Sequence, residues 1–157
     1  MFDRVLEIFT RNSPRHTETI DEKQLVPLAA AMALLEVAWA DHQLDPVELQ
    51  FIKNSLISLY DIDEPYADQV LSLASQKRRT TTSMYPFTRQ LNEQLTLSEK
   101  IRLMTHLWYM NSVDNSCFHY EEGVIRKLAD LLHLRHSEFI QAKLAAREMS
   151  QNKFSRR

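Results

Sequence analysis

The sequence predicts an all-α fold, a single-domain bundle of about seven or eight helices. Three observations carry this. The 157 residues include one glycine, Gly123, so tight hairpins and phosphate-cradling loops, which depend on glycine, are not expected. Apolar residues recur at steps of three and four along almost the whole chain. No stretch alternates apolar and polar residues with period two, so no strand is expected.

In the N-terminal "MFDRVLEIFTRN", Phe2, Val5, Leu6 and Phe9 fit a short amphipathic helix, expected to dock on the protein's own body rather than on a membrane. The stretch lacks the basic start and unbroken apolar middle of a secretory signal. Leu25, Leu28, Met32 and Leu35 mark the next helix. Ile52, Leu56 and Leu59 mark another, and Tyr66, Val70 and Leu73 one more. "KRRTTTSMYPF", Lys77 to Phe87, reads as a polar loop and midpoint hinge. Its basic triplet suits the solvated end of a helix, where cations meet the negative pole of the dipole. Phe87, Leu91 and Leu95 resume the helical rhythm, followed by Ile101, Met104 and Trp108, then Ile125, Leu128 and Leu132. A last helix carries Phe139, Ile140 and Leu144.

The chain is long enough to bury a full core, and its 44% apolar and 25% charged residues are an ordinary globular balance. A formal charge of −2 supplies no global field for nucleic acid, and the basic tail "NKFSRR" is too short to change that. No apolar run approaches the ~20 residues that cross a bilayer. A lone cysteine, Cys117, excludes an internal disulfide and fits a reducing compartment, so the cytoplasm is the expected location.

The two sides of the bridge repeat each other. A shift of 73 carries Asp41 onto Asp114, Glu48 onto Glu121, Ile52 onto Ile125, Lys53 onto Arg126 and Leu59 onto Leu132. The expected domain spans 1–157, with its core at about 20–150. Its first half, about 20–76, and second half, about 84–150, should pack as a pseudo-two-fold pair around one core.

The stretch "ADHQLDPVE", Ala40 to Glu48, places Asp41, Asp45 and Glu48 within eight residues. Asp45 is a good helix N-cap, Pro46 fits the first helical position, and Glu48 can reach back to the cap amide. Asp41 has no such role, and its charge opposes the dipole of the helix it follows. In the second copy the cap position is Phe118, yet the Asp114–Glu121 spacing equals that of Asp41–Glu48. Capping does not explain a retained Asp–Glu pair beside a lost cap. Carboxylates converging across a short elbow between helices would suit a hard divalent cation, Ca²⁺ or Mg²⁺ ahead of Zn²⁺. An EF-hand is excluded, because its sixth position needs glycine and here holds Pro46 or His119.

These stretches, "LAAAMALLEVAWADHQLDPVELQFIK" and "FTRQLNEQLTLSEKIRLMTHLWYMNSVDNSCFHYEEGVIRKLADLL", resemble the tellurite-resistance TerB-like family. The family pattern is a helix, Ala-Asp-Gly-x-Leu, and a helix opening with glutamate, occurring twice. The resemblance implies an all-helical domain with acidic loops that hold a divalent metal, and by position it implicates Asp41, Glu48, Asp114 and Glu121. Glu36, one turn before Asp41, matches a further acidic position of the family. The family's glycine is replaced by His42 in the first copy and Asn115 in the second.

Other candidates are weaker. His133 and His136, three apart in "HLRH", would share a helix face and could contribute to a zinc site. His42 and His119 flank the acidic loops and read as solvated loop residues. Cys117 reads as a small buried apolar group, and Trp39 and Trp108 as core. No nucleophilic triad is evident. The expected function is a non-enzymatic cytoplasmic module that binds a divalent cation and acts through a protein partner in stress or tellurite resistance, with self-association into a homo-oligomer left open. A metal-free helical protein–protein interaction module is the alternative, and a metal-dependent hydrolase the third reading.

Overall fold

A computed structural model describes residues 22–38, 46–80, 83–113 and 118–155. Seven helices lie among the described residues: α1 (Glu22–Ala38), α2 (Pro46–Tyr60), α3 (Glu64–Thr80), α4 (Tyr85–Gln94), α5 (Leu97–Val113), α6 (Phe118–Leu131) and α7 (His136–Ser155). No strand occurs among them. The N-terminal stretch with Phe2, Val5, Leu6 and Phe9 lies outside the described residues.

Helix α1 is the centre of the bundle and touches α2, α3, α4, α5 and α6. Leu25, Leu28, Met32 and Leu35 are buried as their spacing predicts, but so are Ala29, Ala30, Ala31, Ala33, Leu34 and Val37. A helix apolar on every side has no face to give to water and belongs in the middle. One continuous core follows, joined by Ile52, Leu56, Phe87, Leu91, Met104, Leu107, Ile125 and Leu128.

Helix ends are set by local chemistry. The Asp63 carboxylate accepts from the Tyr66 amide (2.9 Å) and starts α3. Thr96 and Glu99 form a reciprocal capping box at the start of α5: each side chain accepts from the other's backbone amide at 3.2 Å. Asp61 and His133 hold positive φ, 52° and 59°, just past the ends of α2 and α6. At α6 the amide of His133 donates to Asp130 O and that of Leu134 to Ala129 O, a Schellman closure with Leu134 returning to the core. The side chains of Asn92 and Lys100 donate to the carbonyls of Leu131 and Leu132 at the same end.

The internal repeat extends to the helices. The shift of 73 that aligns the acidic residues carries α1, α2 and α3 onto α5, α6 and α7, every end agreeing within two residues. Equivalent helices also pair: α1 packs extensively on α3, and α5 on α7. The aligned residues Lys53 and Arg126 have the same task by different means. Lys53 ties α2 to α3 through Glu64 (2.7 Å) and Asp68 (3.2 Å), whereas Arg126 ties α6 to α7 by lying 5.2 Å from the Phe139 ring centroid.

Three expectations are corrected. The polar bridge is shorter than Lys77–Phe87, because α3 continues to Thr80 and α4 begins at Tyr85. Lys77 is not a solvated helix end: it extends the inward stripe of Ala67, Val70 and Ala74 and is only 3% exposed. In α7 the inward face is Phe139, Ala142 and Ala146, while Leu144 points outward and is 51% exposed. Small alanines let α7 lie close on α5, and Leu144 falls on the far side of that register.

Candidate functional site

The acidic residues sit where one helix gives way to the next in each half. Asp41 and Asp45 fall in sequence between the end of α1 and the start of α2, and Asp114 between α5 and α6; all three lie outside the described residues. Pro46 opens α2, as its missing amide N–H favours, and Glu48 stands in the first turn. Glu48 is half-buried, with its Oε2 withdrawn from solvent. Glu121 occupies the first turns of α6, in the register that Glu48 holds in α2; its side chain lies outside the described ones, as does that of His119. His42, Asn115, Cys117 and Trp39 are likewise outside the described residues.

Glu36 is set apart from these. It lies in the last turn of α1, and its Oε1 forms an ion pair with Arg78 Nε of α3 at 3.4 Å, both side chains being about three-quarters buried (25% and 21% exposed). The basic triplet of the bridge therefore delivers a counter-charge to the very acid that the family pattern singles out. Burial pulls the Arg78 pKa down and the Glu36 charge opposes that, so the pair is held together by mutual need. No group of three or more His, Cys, Asp or Glu side chains converges among the described residues.

His133 and His136 do not share a helix face. His133 is the left-handed residue closing α6 and His136 opens α7, both exposed. A corner of the fold separates them, so the shared helix face that the spacing suggested is absent. Trp108 is core: it is 5% exposed, meets Phe139 edge-on with centroids 5.1 Å apart, and carries Lys143 Nζ 5.0 Å from its ring.

One polar pair escaped the sequence reading. Ser55 of α2 and His106 of α5 share a hydrogen bond of 3.0 Å between Oγ and Nδ1. They lie 51 residues apart, and only the packing of the two halves brings them together. Burial, aided by the Arg102 charge, pushes the His106 pKa down to about 4. Such an imidazole is a poor base near neutrality, and Ser55 is 2% exposed. The pair ties two helices rather than forming a nucleophile. Tyr60 is similar: burial, with Glu99 nearby, drives its pKa upward and keeps the phenol neutral.

No described helix is long and apolar enough to cross a membrane. A family model described as tellurite resistance protein TerB matches residues 27–144, from the first turns of α1 into α7 and across both acidic elbows. No curated protein and no solved structure is matched by the chain.

Proposed function

The chain belongs to the tellurite-resistance TerB family, and from that premise we propose that it is a non-enzymatic helical module whose two acidic elbows bind a divalent cation. Asp41 and Glu48 supply oxygens from the first elbow, Asp114 and Glu121 from the second. Asp45, expected as the N-cap of α2, and Glu36, ion-paired with Arg78, are the further carboxylate candidates. The observation that carries the reading is the equivalence of the two halves. The same shift aligns the helices, the helix-pairing residues Lys53 and Arg126, and the Asp–Glu pairs, while Asp45, the cap expected from sequence, falls on Phe118.

The donor set fits the ion proposed. Four carboxylates are hard, anionic oxygen ligands, which select Ca²⁺ or Mg²⁺; Zn²⁺ sites draw on imidazole and thiolate. A cation would neutralise charges that otherwise repel across the elbow and oppose the dipoles of α1 and α5. The bound state would thereby join the end of one helix to the start of the next. On this reading the module would act through a cytoplasmic protein partner, in a stress response or in the tellurite resistance that the family name denotes.

The test is a thermal melt of the purified chain in EDTA, Mg²⁺ and Ca²⁺. A ligand that binds only the folded state raises Tm in proportion to ln(1 + [L]/Kd). A saturable rise is expected, lost in the double variant Asp41→Asn, Asp114→Asn. Identical melts in EDTA and in either metal would leave the metal-free interaction module as the reading.

A further inference from the structure

The pseudo-two-fold leaves one helix face without its counterpart among the described residues. Helix α1 packs on α2, α3, α5 and α6, and α5 makes the matching contacts with α6, α7, α1 and α2. Helix α1 carries α4 in addition, and α4 also touches α6. No described helix holds that place on α5, where a groove of about 500 Å³ is lined by Ser98, Ile101, Arg102 and Thr105 of α5 and by Ala145 and Met149 of α7. We infer that this groove is the docking site of the chain's own N-terminal segment, Phe2–Phe9, which lies on α5 as α4 lies on α1.

Helix register places the groove where the two-fold requires it. Ser98, Ile101, Arg102 and Thr105 step by three, one and three and share one face of α5. Trp108 marks the α7 side of that face through Phe139, and His106 marks the α2 side through Ser55. The groove therefore lies between α7 and α2, the counterparts of α3 and α6. The shift of 73 carries its four α5 residues onto Leu25, Leu28, Ala29 and Met32 of α1, all no more than 2% exposed. On α5, Ser98 and Arg102 are exposed and Ile101 is half-buried. The same contrast holds on α7. Its inward residues Phe139, Ala142 and Ala146 have the spacing of Ala67, Val70 and Ala74 in α3, and the next step lands on buried Lys77 in α3 but on half-buried Met149 in α7. Leu97, at the rim of the groove, stands 52% exposed.

Chain order and spacing select the occupant. Helix α4 directly precedes α5, the central helix of its half, and packs across on α1 of the other half. The segment Phe2–Phe9 precedes α1 in the same order. Helix α4 turns Phe87, Gln90 and Leu91 inward; Phe2, Val5 and Leu6 repeat that spacing with a phenylalanine in the lead, and Phe9 extends the stripe by a turn. Twelve residues, Thr10 to Asp21, join the segment to Glu22. Fully extended they reach ~40 Å, whereas a helix of the length of α5 is only ~25 Å long, so the groove is within range of α1. The stripe and the groove each carry apolar surface that the other can take out of water.

The experiment is nuclear Overhauser spectroscopy on the full chain in EDTA, with labelled methyl groups. Contacts are expected from the ring protons of Phe2 or Phe9 to the methyls of Ile101 and Met149. Leu6→Asp should abolish them, shift both methyl resonances and lower Tm, with the chain still helical by circular dichroism. The wild-type contacts decide the matter even if that variant folds poorly. A mixture of labelled and unlabelled chains separates the sources. Contacts within one chain are expected, and contacts found only between chains would give the groove to a second copy and overturn docking of the chain's own segment. Wild-type spectra without these contacts, or methyl resonances unmoved in a folded Leu6→Asp, overturn the proposal outright. Because chelator is present and the elbows are untouched, this outcome is separate from that of the cation test.

Discussion

Lowering the pH should strain the contact between the two halves at His106. Its imidazole is hydrogen-bonded to Ser55 across α2 and α5, with a pKa pushed down to about 4 from an ordinary 6.5 by burial and the Arg102 charge. Above pH 7 the group is neutral in both folded and unfolded chains and costs nothing. As pH falls through 6.5 the unfolded chain takes up a proton that the folded chain refuses, and stability drops by about 1.4 kcal/mol per pH unit. At pH 5 the accumulated loss from this one group is roughly 2 kcal/mol, and it levels off only near pH 4, where the folded imidazole also protonates. Urea unfolding at pH 8 and pH 5 reads this directly. With a slope of ~2 kcal/mol per molar, the midpoint should fall by about 1 M more in the wild type than in His106→Gln. Glutamine can keep a hydrogen bond to Ser55 but does not titrate, so the subtraction removes the carboxylates. Parallel pH profiles for the two proteins would refute the reasoning, because they would mean that the imidazole meets water in the folded state.

Two further predictions concern helix ends and interiors. Thr96→Ala breaks the capping box of α5 and should cost about 1 kcal/mol in urea unfolding, with Glu99→Ala giving a similar loss. Gly123→Ala should stabilise by about 0.5–1 kcal/mol: Gly123 lies inside α6 without a positive φ, and an added Cβ there meets nothing within 4 Å.

The helices were legible because their signal is local. Steps of three and four locate a helix without knowledge of its neighbours, and the rows Leu25–Leu35, Ile52–Leu56 and Ile125–Leu132 lie buried as read. What was hidden depended on partners. Nothing in the sequence near Lys77 announces that its turn of α3 lies inside, since that is decided by α1 running alongside. Alanine counts for little in an apolar tally, yet Ala142 and Ala146 set the register of α7 and turn Leu144 outward. The histidine pair of "HLRH" misled for a related reason: spacing of three implies one face only within one helix, and His133 is the residue at which the helix ends. Of the proposed cation site, the candidate acids come from the repeat, because a shift that aligns helices aligns the segments between them. The Ser55–His106 bond and the groove of Ile101 and Met149 join residues about 50 apart. No motif of short range can point to them.

The same long-range pairing gives Glu36 a role distinct from the one proposed for the elbow carboxylates, and a substitution can separate the two. If Glu36 were a cation ligand, Glu36→Gln would remove one anionic oxygen and weaken the metal-induced rise in Tm. The 3.4 Å contact to Arg78 argues otherwise. A cation brought to Glu36 must displace or sit beside a guanidinium, and the repulsion at that distance offsets what a single carboxylate oxygen gains. Glu36→Gln should therefore lower stability in the absence of metal by about 1–2 kcal/mol, the cost of leaving Arg78 largely buried without its acid, discounted for the water that still reaches the pair. The shift between EDTA and Ca²⁺ should stay as in the wild type, whereas Asp41→Asn should reduce it with little loss of basal stability. A Glu36→Gln protein with normal basal stability and a diminished metal response would reverse the assignment, and make Arg78 the residue that yields when the cation arrives.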